Sequence, residues 1–193
     1  MPGMRVIGGE SRGRRLKAPR GLATRPTLAR IRESIFSRLA ARMDISGLKV
    51  LDLFAGTGSL GIEALSRGAA TVTFVDSARA ATLVIEHNLE QLGLKDRGRI
   101  LESDVYRALS RLSDEGEKFD LVFLDPPYAR GFGDKVMAVL VGKGLLKNDS
   151  WVATEVSKRE HAPGAAGLER VNIAVVGDHQ IVLLRPLGAG QTE

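Results

Sequence analysis

From residue 49 onward the chain alternates between two hydrophobic periods. Short apolar runs at about 49–54, 71–76, 99–102, 119–124 and 150–156 predict strands buried on both faces. Between them, 58–67, 77–92, 105–112 and 133–143 repeat apolar residues at helical spacing. This alternation predicts an α/β fold: a mostly parallel sheet with helices on both faces. Two later runs, 171–176 and 181–184, are joined by Gly177-Asp178-His179-Gln180 with no helix between them. They predict an antiparallel pair at one sheet edge. The tail, 188–193, lacks any pattern and is expected to be disordered.

The first 45 residues read differently. Met4-Arg5-Val6-Ile7 and Arg14-Arg15-Leu16-Lys17 are strand-like and joined through glycines, which predicts a hairpin. Pro19, Gly21 and Pro26 then leave an extended linker. From 27 to 41, Leu28, Ile31, Ile35, Phe36 and Leu39 form one helical stripe, and Arg32 falls near its middle. A buried arginine is costly without an anionic partner. Arg32 either pairs with a buried carboxylate or faces a cleft. The expected organisation is a basic hairpin-and-helix extension over 1–45, an α/β domain over 46–187, and the tail.

Charge sharpens that division. Residues 1–32 hold nine Lys and Arg against Glu10 alone, so they carry +8 of a net +5, and the other 161 residues total −3. A basic module on a mildly acidic body points to a polyanion, nucleic acid first. Arg5, Arg12, Arg14, Arg15, Lys17, Arg25 and Arg32 are the candidate nucleic-acid-binding residues. Phosphate contacts of this kind position a nucleic acid and weaken steeply with salt. With no cysteine, disulfides, thiolate metal sites and thiol nucleophiles are excluded. Three scattered histidines show no ligand spacing, so no metal is expected. No apolar run approaches the ~18 residues of a membrane span. The expected setting is the cytoplasm, without a membrane partner.

The chemistry centres on Asp52-Leu53-Phe54-Ala55-Gly56-Thr57-Gly58-Ser59-Leu60-Gly61, a strand end running through a glycine turn into a helix. Such loops aim backbone N–H groups at a ligand. Asp76 ends the next strand twenty residues after Gly56, where an acid binds a ribose hydroxyl. A nicotinamide dinucleotide would satisfy that spacing. Asp52, however, would repel a pyrophosphate and attract a cation. S-adenosylmethionine, with an ammonium, a sulfonium and a ribose, explains the loop better. Directly after the strand at 119–124 comes Asp125-Pro126-Pro127-Tyr128. The prolines stiffen the loop, Asp125 and a proline carbonyl can accept from an exocyclic amine, and Tyr128 offers a face for a base.

With these motifs the sequence resembles the class I S-adenosylmethionine-dependent methyltransferases of the amino-methylating branch, and within them the RsmD-type bacterial 16S ribosomal RNA guanine-N2 methyltransferases. Arg5-Val6-Ile7-Gly8-Gly9, Arg12-Gly13-Arg14, Arg25-Pro26-Thr27 and Arg32-Glu33 with Phe36 resemble the family's N-terminal signature. The stretch 52–69 and Phe123-Leu124-Asp125-Pro126-Pro127-Tyr128 resemble its core. The resemblance implies a Rossmann-like, seven-stranded sheet and methyl transfer to the N2 amine of a guanine in small-subunit ribosomal RNA, within a subunit or assembly intermediate, by a monomer. It implies that Asp52, Phe54, Ala55, Gly56, Thr57 and Gly58 line the cofactor, with Asp76 and Ser77 at the ribose and Asp104 and Val105 at the adenine. Asp125, Pro126, Pro127 and Tyr128 would be catalytic. The family often has glutamate where Asp76 stands, and the Gly177–His179 region matches no pattern in it. Amine methylation of DNA or of another RNA, and a non-catalytic RNA-binding assembly factor, remain the alternative functions.

Overall fold

The computed structural model describes residues 4–18, 26–126 and 131–188, without the side chains of 26–28. Among them, seven strands form one sheet in the order β3-β2-β1-β4-β5-β7-β6. The strands are β1 (Lys49–Leu53), β2 (Thr71–Asp76), β3 (Gly98–Glu102), β4 (Phe119–Leu124), β5 (Leu146–Ser157), β6 (Leu168–Val176) and β7 (His179–Pro186). The helices are α1 (Pro26–Ala40), α2 (Ser59–Ser66), α3 (Arg79–Leu92), α4 (Val105–Asp114) and α5 (Phe132–Gly142). β1 to β5 are parallel, whereas β7 runs antiparallel to both β5 and β6. The expected α/β sheet and its late antiparallel pair are both present. β7 sits inside the sheet and β6 is the edge.

Strand alternation divides the core between the two faces. Leu121 and Phe123 point to one face, where Ile31, Ile35, Phe36 and Leu39 of α1 meet Ile62 and Leu65 of α2 and Ile85 and Leu89 of α3. Phe119, Val122 and Leu124 point to the other, against Leu109 and Leu112 of α4 and Val136, Met137 and Leu140 of α5. Each such fully buried side chain contributes roughly 1.5–3 kcal/mol. Gly61 permits the close packing of α2 on β2, because a Cβ there would lie 2.3 Å from the Phe74 ring.

Among the boundaries that differ from the sequence pattern, three have a local reason. β5 begins at Leu146, where exposed Lys147, Asn148 and Asp149 continue the strand past a register shift opposite Phe119 and Leu121. β6 begins at Leu168 because Glu169 and Arg185 form an ion pair across the ladder. α3 starts at Arg79, because Asp76 Oδ1 accepts from the Ala78 N–H at 2.9 Å and holds the turn before it.

The N-terminal segment closes on itself through an Arg5–Arg15 antiparallel bridge and the Val6 N–H to Arg14 O bond of 3.0 Å. Val6 and Leu16 are buried in the same apolar cluster as α1 and α2. Polar groups fasten the segment. Glu63 of α2 accepts from the Ile7 and Gly8 N–H groups at 2.8 and 2.7 Å, and Asn88 of α3 bonds both the N–H and the carbonyl of Lys17. Gly9 passes so close to α2 that a Cβ would lie 1.8 Å from the Ser66 carbonyl oxygen. Among the described residues no helix is long and apolar enough to cross a membrane.

Glu63 is 1% exposed and lies 3.9 Å from Arg32, which is also buried. Removing one member of such a cluster leaves a buried charge and two amides without partners. Glu63→Ala is therefore expected to lower unfolding stability by about 3–5 kcal/mol in urea titration, with Glu63→Gln losing less. A loss below about 1 kcal/mol would contradict this role.

Candidate active site

β1 pairs with β4 in the register Leu53↔Leu124, so the glycine loop and Asp125-Pro126 leave the sheet side by side. Strand order reverses between these two strands. At such a switch point neighbouring connections diverge to opposite faces and open a crevice at the carboxyl ends. The sheet thereby brings together two motifs that lie about seventy residues apart in the chain.

The loop's amides are already engaged by carboxylates. Asp52 Oδ2 accepts from the Gly61 N–H, in the first turn of α2, at 2.9 Å. Asp76 Oδ2 accepts from the Gly56 N–H at 2.8 Å. These are donors that a dinucleotide's pyrophosphate would require. Asp52 is 2% exposed, and burial raises its carboxyl to about 8, against the opposing effect of the Gly61 hydrogen bond and with a further push from Asp125 and Asp76. Asp125 is raised to about 7 by burial and by the charge of Glu155, with His179 acting against them. An acidic, poorly hydrated pocket stabilises a cation and disfavours a phosphate.

The pocket wall combines Asp52, Ala55 and Thr57 of the glycine loop with Met4 of the N-terminal segment, Arg32 of α1, Asp125 and Glu155. Both readings of Arg32 meet here. Its Nη2 donates to the Arg5 carbonyl at 2.5 Å and its Nε lies 3.9 Å from Glu63, yet the side chain also faces the pocket. Burial lowers its pKa, and Glu63 counters that shift. Phe54 holds φ +60, an uncommon conformation for a residue with a Cβ and one that concentrates at functional sites. Its ring meets Phe132 of α5 edge-on at 5.6 Å, and Phe132 meets Tyr106 of α4 at 6.1 Å. The glycine loop, α5 and α4 thus join in one aromatic cluster, of which Phe54 lines the pocket.

The other expected residues occupy varied places. Gly58 caps α2 at φ +73. Ser77 is exposed after Asp76. Asp104 is exposed and caps α4, its Oδ1 accepting from Tyr106 and Arg107, while Val105 is buried in the core. Arg5, Arg12, Arg14, Arg15 and Lys17 are exposed, and Arg14 also donates to the terminal carbonyls of α3 at Gln91 and Leu92. Arg32 is buried rather than on that surface. Arg25, Pro127, Tyr128 and the 189–193 part of the tail lie outside the described residues.

Four residues in or around the site escape sequence reasoning: Glu63, Asn88, Glu155 and His179. Asn88, fully buried, ties the Thr57 carbonyl to the N-terminal segment. His179 Nδ1 lies 2.7 Å from Glu155 Oε1, without a well-aligned hydrogen bond. Burial raises Glu155 to about 7. Asp52 and Glu63 share one signal, an acid inside an apolar run; Glu155 follows the same pattern at the end of the run at 150–156.

These raised carboxyls give the chain a pH signature. Between the unfolded value near 4 and the folded values of about 7 to 8, the folded chain binds more protons than the unfolded one. Stability should therefore fall as pH rises through that window and level off above it. Thermal melts from pH 5 to 9 are expected to show the decline, on the order of a few kcal/mol, and Asp52→Asn is expected to flatten its upper part. A flat wild-type profile would contradict the burial of these charges.

Comparison with known proteins agrees with this geometry. The family model described as Conserved hypothetical protein 95 matches residues 4–185. The ribosomal RNA small subunit methyltransferase D of Escherichia coli (strain K12) is 38% identical over 152 residues, covering 79% of this chain and 74% of that protein. YlbH of Bacillus subtilis (strain 168) is 37% identical over 164 residues, 85% of this chain and 88% of the relative. The solved structure of yhhF from Escherichia coli superposes with a TM-score of 0.81 at 32% identity, covering 95% and 97% of the two chains. A glycine loop seated on carboxylates, an Asp-Pro turn beside it and these likenesses lead to one conclusion: the chain belongs to the Conserved hypothetical protein 95 family, that of the RsmD-type methyltransferases.

Proposed function

We propose that this chain transfers a methyl group from S-adenosylmethionine to the N2 amine of a guanine in small-subunit ribosomal RNA. The family supports the broader statement, a ribosomal RNA methyltransferase. The observation that carries the finer one is the placement of Asp125 beside Asp52 in a single acidic pocket at the switch point. We further infer that it acts in the cytoplasm, as a monomer, on a small-subunit particle.

The site fits the donor. Asp52 matches an ammonium or sulfonium, and each Asp76 oxygen, having accepted one backbone N–H, retains a lone pair for a ribose hydroxyl. Phe54, which lines the pocket, offers apolar contact to an adenine, and Phe132 backs its ring. When bound, the donor supplies an electrophilic methyl group on a sulfonium.

The chain's own residues do the rest. Asp125 accepts a hydrogen bond from the amine and fixes its orientation, and Pro126 limits the turn that carries it. With its carboxyl raised to about 7, Asp125 can also take the proton that the nitrogen loses. The target base must leave its stack, costing a few kcal/mol. The exposed arginines of the N-terminal segment hold the RNA backbone, and Met4 of that segment reaches the pocket itself.

Incubation with methyl-labelled S-adenosylmethionine and small-subunit particles, followed by nucleoside mass analysis, is expected to yield N2-methylguanosine. Asp125→Ala should lower turnover by roughly 100-fold or more with donor affinity within about threefold. Label in another nucleoside, or turnover retained by Asp125→Ala, would overturn the reading.

A further inference from the structure

β4 and β5 run parallel in the register Leu124↔Thr154, so the next residues, Asp125 and Glu155, emerge side by side at the carboxyl ends. Both line the pocket. Glu155 has no evident structural duty: among the described residues, its side chain's polar contact is His179, at 2.7 Å. His179 reaches it because the tight turn at Gly177, at φ +62, starts β7 opposite Ser157. The pair is largely enclosed, with side-chain exposures of 10% for Glu155 and 19% for His179. Asp52 and Arg32 are the other charged groups on that wall.

Two neighbouring carboxylates present acceptors and no donor. Among the common bases, guanine offers two adjacent donors on its pairing edge, the N2 amine and N1–H. Adenine and cytosine place an unprotonated ring nitrogen beside the amine, which would meet a carboxylate lone pair to lone pair. We propose that Glu155, positioned by His179, makes this pocket select guanine by accepting the N1–H of the base whose amine Asp125 holds. This rests on the guanine reading above and adds the residue that enforces it. His179 orients Glu155 by lying 2.7 Å from its Oε1, and its effect on Asp125 opposes that of burial. The unplaced Gly177–His179 segment thereby acquires a task.

The test replaces the target guanosine, in an RNA fragment that the chain methylates, with 2-aminopurine riboside. That base keeps the amine and lacks N1–H. Rates are compared at pH 8.5, above the value of about 7 to which burial raises Asp125 and Glu155. Wild type is expected to prefer guanosine by roughly 100-fold or more, as for sites whose polar groups are left unpaired by the wrong ligand. Glu155→Gln and Glu155→Ala should shrink that preference at least tenfold, and His179→Gln should shrink it less. Because each variant is compared with itself on two bases, a general loss of activity cancels. For a variant too slow to assay, the same ratio is read from competitive binding, using 2-aminopurine fluorescence. An unchanged preference in the Glu155 variants, or no preference in wild type, overturns the proposal while the guanine-N2 reading stands. Wild type that methylates no guanosine overturns both.

Discussion

Glu63 is the contact on which the rest of the architecture depends. It sits on α2, the helix that the glycine loop opens, and its two oxygens take the amides of Ile7 and Gly8 while Arg67 and Arg32 approach from other sides. A buried carboxylate so heavily bonded is stable only while all of its partners stay in place. It therefore couples three pieces that the sequence separates: the basic segment, α1 and the cofactor loop. Met4 and Arg32 reach the pocket wall as a consequence. The basic segment is thereby also part of the pocket wall.

The same logic, carboxylates placed where phosphates would otherwise sit, governs the site. Asp52 and Asp76 occupy amides of a loop whose geometry is otherwise suited to a pyrophosphate. Desolvation then makes each negative charge more costly and any arriving cation more welcome. Asp125 and Glu155 extend that acidity toward the substrate side, with Arg32 and His179 offsetting it in part. One sheet edge thus gathers four acids, two of them turned to backbone amides.

Much of this was legible in the residues. The strands at 71–76 and 119–124 could be read to the residue, because each is a short run rich in β-branched and aromatic residues, with only isolated polar positions. Polar strand extensions at 146–149 and 168–170 could not, since their pairing depends on partners far along the chain rather than on local pattern. Asp52, Asp76 and Asp125 stood out by spacing from glycines and prolines. Glu155 and His179 did not: their proximity is created by β7 inserting antiparallel between β5 and β6, a tertiary fact with no local signature. Arg32 showed as an anomaly on its helix, but its partner Glu63 lay hidden in another apolar run.

The glycine loop is expected to seat a cation because Asp76 and Asp52 already hold the Gly56 and Gly61 amides. Titration calorimetry of the purified chain with S-adenosylmethionine, and separately with a nicotinamide dinucleotide, tests this most directly. S-adenosylmethionine should bind, Asp52→Ala should weaken it by about tenfold or more, and the dinucleotide should give no measurable heat. Binding of the dinucleotide, or equal affinity for S-adenosylmethionine in Asp52→Ala, would contradict the account.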